Sequence, residues 1–230
     1  MIVKELLITL LLFSTTALGA LNTASNVVFI KEDTLQLRGE VSDSSVAPLI
    51  DAIEKSQVKE MVMYVDSPGG SVTSGMDLVD AVTRNSIKLT CVVGKQAASA
   101  AFFILQLACH NRYVSDNSVL YQHNWRVGLP LDTIETHLET LRVTQILFDK
   151  IRKREAARLK ITVAELLRRS NANWTLLGGD AVNQKAADKV VSLVCSPDIV
   201  AKYVDVTVTG SFGPMTVKKS LCPFINAVGQ

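Results

Sequence analysis

Two short apolar runs, Met61-Val62-Met63-Tyr64-Val65 and Leu89-Thr90-Cys91-Val92-Val93, each stop at glycine, the first in Asp66-Ser67-Pro68-Gly69-Gly70 and the second at Gly94. Runs this short, rich in β-branched residues and closed by turn residues, read as buried strands rather than helix segments. Helical patterns lie between them. Ser42 to Lys55 carries Val46, Leu49, Ile50 and Ile53 at helical spacing, a second helix is predicted from Ser71 to Thr83, and an apolar one from Gln96 to Cys109. Further β-like runs are Val27 to Lys31, Leu35 to Arg38, Arg112 to Val114 and Val119 to Gln122. Strands separated by helices pair in parallel, because a parallel connection needs a crossover. The expected fold class is therefore α/β with a mostly parallel sheet.

The pattern changes from Leu131 to Lys160, a charge-rich helix with Ile134, Leu138, Leu141, Ile146, Leu147 and Ile151 as its apolar positions. It is well beyond the roughly 10–14 residues of an average helix. Either it projects to pack on another subunit, or it lies solvated along its own domain. A shorter helix, Thr162 to Arg169, follows; another opens at Gly178-Gly179-Asp180-Ala181, and Lys189 to Val194 reads as a strand. Beyond Cys195, YVDVTVTGSFGPMTVKK alternates around a Gly-Ser-Phe-Gly-Pro turn, the signature of a β-hairpin. A chain of 230 residues, 48% hydrophobic, accommodates one such domain, assigned to residues 20–194, with an extension over 195–230.

The first 19 residues have the layout of a secretory signal peptide: Lys4, an apolar run from Leu6 to Phe13, and small residues up to Gly19 and Ala20. The expected location is periplasmic or secreted, with membrane anchoring if this segment stays uncleaved. Its apolar run is shorter than the ~20 residues of a membrane span. Export would let the four cysteines oxidise. Cys195 and Cys222 bracket the tail and could close it as a disulfide, whereas Cys91 and Cys109 lie in apolar segments and read as small buried hydrophobes. A net charge of +2, with no basic stripe interleaved with aromatics, excludes a nucleic-acid partner. No Cys-x-x-Cys or His-x-x-x-His spacing argues for a metal, and no cofactor is expected.

One hydroxyl stands out in Gly94-Lys95-Gln96-Ala97-Ala98-Ser99-Ala100-Ala101-Phe102-Phe103. Ser99 opens a helix, where the dipole favours a developing negative charge, and its alanine neighbours let substrate and backbone approach closely. The structural alternative is that alanine and serine simply pack tightly where a helix crosses a sheet. A nucleophilic serine needs a base, and the chain has three histidines. His123 ends a strand-like run at the mouth of the expected sheet. His110 follows the predicted end of the Ser99 helix, and His137 sits between Glu135 and Glu139 on a charged face. The Pro68-Gly69-Gly70 turn can present N–H groups that, with that of Ala100, would form an oxyanion hole.

Taken together, MYVDSPGGSVTSGMDLVDAV, VGKQAASAAFF and DNSVLYQH resemble the proteolytic subunit of the Clp protease, a serine peptidase, over roughly Leu37 to Val194. The resemblance implies the ClpP/crotonase-like repeated ββα spiral with a projecting handle helix, matching the long helix, and a homo-oligomer built through it. It implies Ser99 as nucleophile, His123 as general base, and Gly70 and Ala100 as the oxyanion hole. The family's catalytic aspartate falls on Asn173, where this sequence departs. Asparagine can accept an imidazole N–H and orient His123, but supplies no full negative charge, so a weaker enzyme is expected. Asn173-Trp174-Thr175 also fits a glycosylation acceptor.

The expected function is an exported serine-type endopeptidase acting without ATP on peptides or unfolded segments. The family's partner is an ATP-driven unfoldase, which an exported chain would not meet. The alternative is a catalytically weak or inactive ClpP-like binding or assembly module. A Ser-Lys dyad, as in signal peptide peptidase A, would need Lys150 or Lys153 to reach back from a dense charge run. A crotonase-type hydratase would need a carboxylate at the hole and no nucleophile.

Overall fold

The computed structural model describes residues 26–128, 132–210 and 213–224. The signal-peptide assignment, the expected start of the long helix at Leu131 and the Ser211-Phe212 tip of the hairpin lie outside them. The elements in chain order are β1 (Val27–Ile30), β2 (Leu35–Val41), α1 (Asp43–Lys55), β3 (Glu60–Gly70), α2 (Val72–Arg84), β4 (Lys88–Ala98), α3 (Ala100–Leu107), β5 (Asn111–Val114) and β6 (Val119–Gln122). Then come α4 (Ile134–Leu159), α5 (Val163–Asn171), β7 (Trp174–Leu177), α6 (Gly178–Asn183), β8 (Lys189–Val190), β9 (Ser192–Cys195), α7 (Pro197–Val200), β10 (Tyr203–Gly210) and β11 (Gly213–Ser220).

The main sheet runs β2-β3-β4-β5-β8, all parallel, with β6 parallel to β4 and β7 antiparallel to β6. The expected α/β class with a mostly parallel sheet is what the chain adopts. β4 serves two partners in succession: Thr90–Val93 pairs with β5, and Gln96–Ala98 pairs with β6. This fork places the end of β4 beside the end of β6.

Gly94 does not end β4. A side chain there would meet the Tyr64 phenol, with an ideal Cβ only 2.2 Å from its oxygen, so this glycine leaves room for a neighbouring ring while the strand continues. β3 likewise runs on through Pro68 to Gly70, with a register shift between Val65 and Ser67. Both strands are longer than their apolar runs because the residues beyond the glycines still find ladder partners. In consequence α3 begins at Ala100, later than the periodicity from Gln96 suggested.

α3 is the central helix. Ala100 through Gln106 are all buried, in one core with Leu37, Val65, Leu78, Val93 and Leu120. Truncating a fully buried phenylalanine such as Phe102 or Phe103 to alanine costs about 3–5 kcal/mol. The first half of α4 leaves Ile134, Leu138, Leu141, Val143 and Ile146 exposed, whereas its second half buries Phe148, Ile151, Ala156 and Leu159. A helix apolar at both ends but packed at only one projects from its domain.

Cys195 and Cys222 are joined as a disulfide, which holds the β10–β11 antiparallel hairpin against a small core of Ile30, Tyr64 and Ile199. Cys91 and Cys109 are buried as expected, but they too are bonded to each other, because β4 and the end of α3 bring them together. Arg112, 4% exposed, donates to Asp188 from its side chain and backbone N–H, to Gln106 Oε1 at 2.5 Å and to the Lys185 carbonyl at 3.0 Å. Arg158 of α4 donates to the carbonyls of Cys109 and His110 just beyond α3, tying the long helix to the central one.

Candidate active site

Ser99 is the hinge between β4 and α3. Its backbone lies at φ 53°, ψ −116°, a region few non-glycine residues occupy, and it caps a helix whose first residues are alanines. Such strain, of order 1–3 kcal/mol, persists only where the surroundings over-determine it, and it concentrates at functional sites. Here the Ser99 N–H donates to the Tyr121 carbonyl of β6 at 2.8 Å, and its own carbonyl accepts from Phe102 and Phe103. The sharp turn leaves Ser99 half-buried amid a buried segment. The Ala100 N–H, in the first turn of α3, has no hydrogen-bond acceptor among the described residues.

The β3 turn lies directly against this point. An ideal Cβ on Gly69 (φ +94°) would stand 2.5 Å from the Ala98 oxygen, 2.7 Å from the Ser99 Cβ and 2.8 Å from the Ala100 nitrogen. The backbone of Gly69 thus packs against the serine turn with no room for a side chain, and its N–H donates to Ser67 Oγ at 3.1 Å. Gly70 pairs with Val41 of β2, and a side chain on it would meet the Val41 oxygen at 2.3 Å. Sequence reasoning identified Gly70 and missed the packing role of Gly69, although both are legible as a Pro-Gly-Gly turn.

His123 follows β6 by one residue. Because Ala98 is in register with Tyr121, the serine and the histidine extend from the ends of neighbouring strands. The His123 Nδ1 lies 2.6 Å from the Asn124 carbonyl. A carbonyl only accepts, so this nitrogen carries the proton and the lone pair is left on Nε2. The His123 ring stacks on Tyr121, centroids 5.4 Å apart. No hydrogen bond joins the Ser99 hydroxyl to the imidazole among the described residues; free enzymes often show such contacts loosened.

Asn173 precedes β7, and the β6–β7 register pairs Tyr121 with Thr175 and Gln122 with Trp174. The ladder ends at that last pair, and His123 and Asn173 are the residues just beyond it on the two strands. The backbone there turns left-handed, φ 55°, which asparagine tolerates better than most residues. Its Oδ1 accepts from the Tyr121 hydroxyl at 3.0 Å, not from the imidazole. The imidazole is oriented instead by the Asn124 carbonyl, and Asn124 is held by a side-chain bond to Asn171 at the end of α5. A backbone carbonyl has no sequence signature, so nothing in the chain could have pointed to it.

The other candidates fall elsewhere. His110 is exposed beyond α3, Lys150 and Lys153 are exposed on α4, and Asp188 is held by Arg112. Among known families, the model of the Clp protease family matches residues 19–193.

Proposed function

The chain belongs to the Clp protease family, a family of peptidases, and from that premise we propose that it is a serine-type endopeptidase with Ser99 as nucleophile and His123 as general base. The observation that carries this reading is the strained turn at Ser99, which exposes a hydroxyl at the N-terminus of an otherwise buried helix and anchors it to the strand that bears His123. Ser99 Oγ attacks the scissile carbonyl as His123 Nε2 takes its proton. The imidazolium then returns the proton to the leaving amine, and water repeats the sequence to release the acyl group. The oxyanion is received by Ala100 N–H and Gly70 N–H. In support, Ala100 N–H has no acceptor among the described residues, and Ser71 N–H is already bonded to Val41 of β2 at 2.7 Å. Successive N–H groups along a strand face opposite neighbours, which turns that of Gly70 toward β4.

Asn173 is the third member by register. It accepts the imidazole Nδ1–H in place of the Asn124 carbonyl once the Tyr121 hydroxyl releases its Oδ1, and without a full charge it supports slower turnover than aspartate. The substrates are peptides or unfolded segments. The exposed apolar residues on the first half of α4 are the surface of a homo-oligomer, as family members generally assemble. Export through the first 19 residues, with two disulfides in keeping with an oxidising compartment, implies action without an ATPase partner.

A fluorophosphonate probe tests the assignment. Ser99 should be phosphonylated, Oγ bonding to phosphorus as fluoride leaves, and His123→Ala should abolish labelling; a folded, oligomeric protein that never labels refutes it. The contact between Asn173 and Tyr121 favours one second reading, a binding or assembly module that keeps the fold with little catalysis. Asn173→Asp separates the two, raising peptidase activity in a weakened enzyme and leaving a dead one unchanged.

A further inference from the structure

Glu155 is a carboxyl group buried where nothing in the chemistry above calls for one. It is 1% exposed, on the inner face of α4, and its Oε2 has no hydrogen-bond partner among the described residues. Its Oε1 accepts from Gln122 Nε2 at 2.7 Å, and Gln122 is equally buried. The other end of the same amide, Gln122 Oε1, accepts the backbone N–H of His123 at 3.2 Å. The amide orientation follows from its partners. A backbone N–H can be met only by the oxygen, so the NH2 must face the carboxyl. A void of about 10 Å³, at the lower limit for one water, is lined by Gln122, His123, Arg152, Glu155 and Ser170 among others.

We propose that Glu155 is a positioning residue for His123, acting through the Gln122 side chain, so that the packing of α4 on the core sets the placement of the catalytic base. The inference rests on the serine-peptidase reading of the same site. Without the carboxyl, Gln122 Nε2 is left buried and unpaired, its amide is free to turn, and the His123 N–H loses its only side-chain acceptor. A carboxylic acid and a carboxamide both offer an oxygen at the Oε1 position, so Glu155→Gln preserves the link, whereas Glu155→Ala breaks it. Ionisation adds a second handle. Burial pushes the Glu155 carboxyl up to about 8, against the hydrogen bond from Gln122 and the charge of Arg152. The charged or titratable groups around the void are Arg152, one turn earlier on α4, and His123; α5 contributes Leu166, Leu167 and Ser170, none of which titrates. Above that pH a negative charge stands at the far end of the Gln122 bridge to the His123 backbone.

Two measurements on the full-length protein test this. In the first, Glu155→Ala should lower the rate of fluorophosphonate labelling of Ser99 by roughly 10- to 100-fold, the scale of a displaced catalytic group, while Glu155→Gln stays within about threefold of wild type at pH 7. In the second, the Cε1 proton of His123, assigned by its loss in His123→Ala, is titrated by NMR. It should show an additional inflection near pH 8 in wild type that is absent from Glu155→Gln. A merely structural glutamate would change stability and leave that inflection unaltered. Wild-type labelling of Glu155→Ala, or identical His123 titrations in wild type and Glu155→Gln, overturns the proposal. A wild-type protein that never labels overturns the peptidase reading instead, and the titration still reports whether Glu155 and His123 are coupled.

Discussion

Adding one methyl group at Gly69 should cost stability and silence the site, whereas adding one at Gly39 should cost stability alone. Both glycines have positive φ, +94° and +77°. An alanine in such a conformation costs about 1–2 kcal/mol through backbone strain alone. At Gly39, beside the register shift between β2 and β3, an ideal Cβ meets nothing within 4 Å. The whole effect of Gly39→Ala is therefore that strain, a fall in Tm of roughly 2–8 °C for a chain of this size, with labelling of Ser99 unchanged.

At Gly69 the same methyl group stands 2.5 Å from the Ala98 oxygen and 2.8 Å from the Ala100 nitrogen. Ordinary contact begins near 3.4 Å, so either the β3 turn or the Ser99 turn must retreat by about 1 Å. These neighbours are backbone atoms of a strained turn, and they cannot rotate aside. A displacement of that size at a reacting group costs on the order of 100-fold in rate. Gly69→Ala should thus reduce the second-order rate of fluorophosphonate labelling about 100-fold while a cooperative thermal transition survives. Labelling by Gly69→Ala within threefold of wild type would refute the claim that the two turns are in functional contact. Equal loss in both variants would show that strain, not close approach, is what matters.

Other outcomes follow from the packing and the charges around it. Asp188→Asn leaves the buried Arg112 guanidinium without its counter-charge; because Asp188 is itself 38% exposed, the cost should be about 1–3 kcal/mol, read as a lower urea midpoint. The Asp188 carboxyl is pushed up by burial but pulled further down by Arg112 and Arg158; the stability it contributes is present at neutral pH and lost as pH falls through its lowered pKa, a loss the asparagine variant should not show. Glu155 has the opposite sign: its carboxyl is raised from 4.5 to about 8, so wild type should lose stability relative to Glu155→Gln as pH rises from about 4.5 to 8, measured as the difference in Tm. Removing the Cys195–Cys222 bond, which closes a separation of 27 residues, should cost about 3–4 kcal/mol by the loop-entropy relation, and peptide mapping without reduction should recover Cys91 linked to Cys109 and Cys195 to Cys222, with any other pairing counting against the packing described.

What could be read from the chain and what could not divide along a physical line. Strand and helix alternation was legible because each element buries one face, and Val46, Leu49 and Ile53 in α1 repeat at the period of that face. The ends of elements were less so. Nothing in Gly94 says whether a strand stops or a ring needs room, and the answer depends on Tyr64, thirty residues earlier in the chain and one strand away. β7 escaped notice because four residues, alternately buried and exposed, carry too little pattern outside their pairing with β6. Cys91 and Cys109 looked like two hydrophobes because burial and bonding leave the same mark on composition. At the site, side-chain chemistry was legible and geometry was not. Ser99 and His123 advertise themselves by residue type, whereas the group that holds the imidazole is the carbonyl of Asn124, which any residue would supply. That bears directly on Asn173. An imidazole whose Nδ1–H is already met by a carbonyl has its tautomer set without an aspartate, so the charge missing at position 173 weakens the stabilisation of the imidazolium without undoing the orientation of the base. On the proposed mechanism the effect of Asn173 is one of rate, and Asn173→Asp should act on turnover more than on substrate affinity.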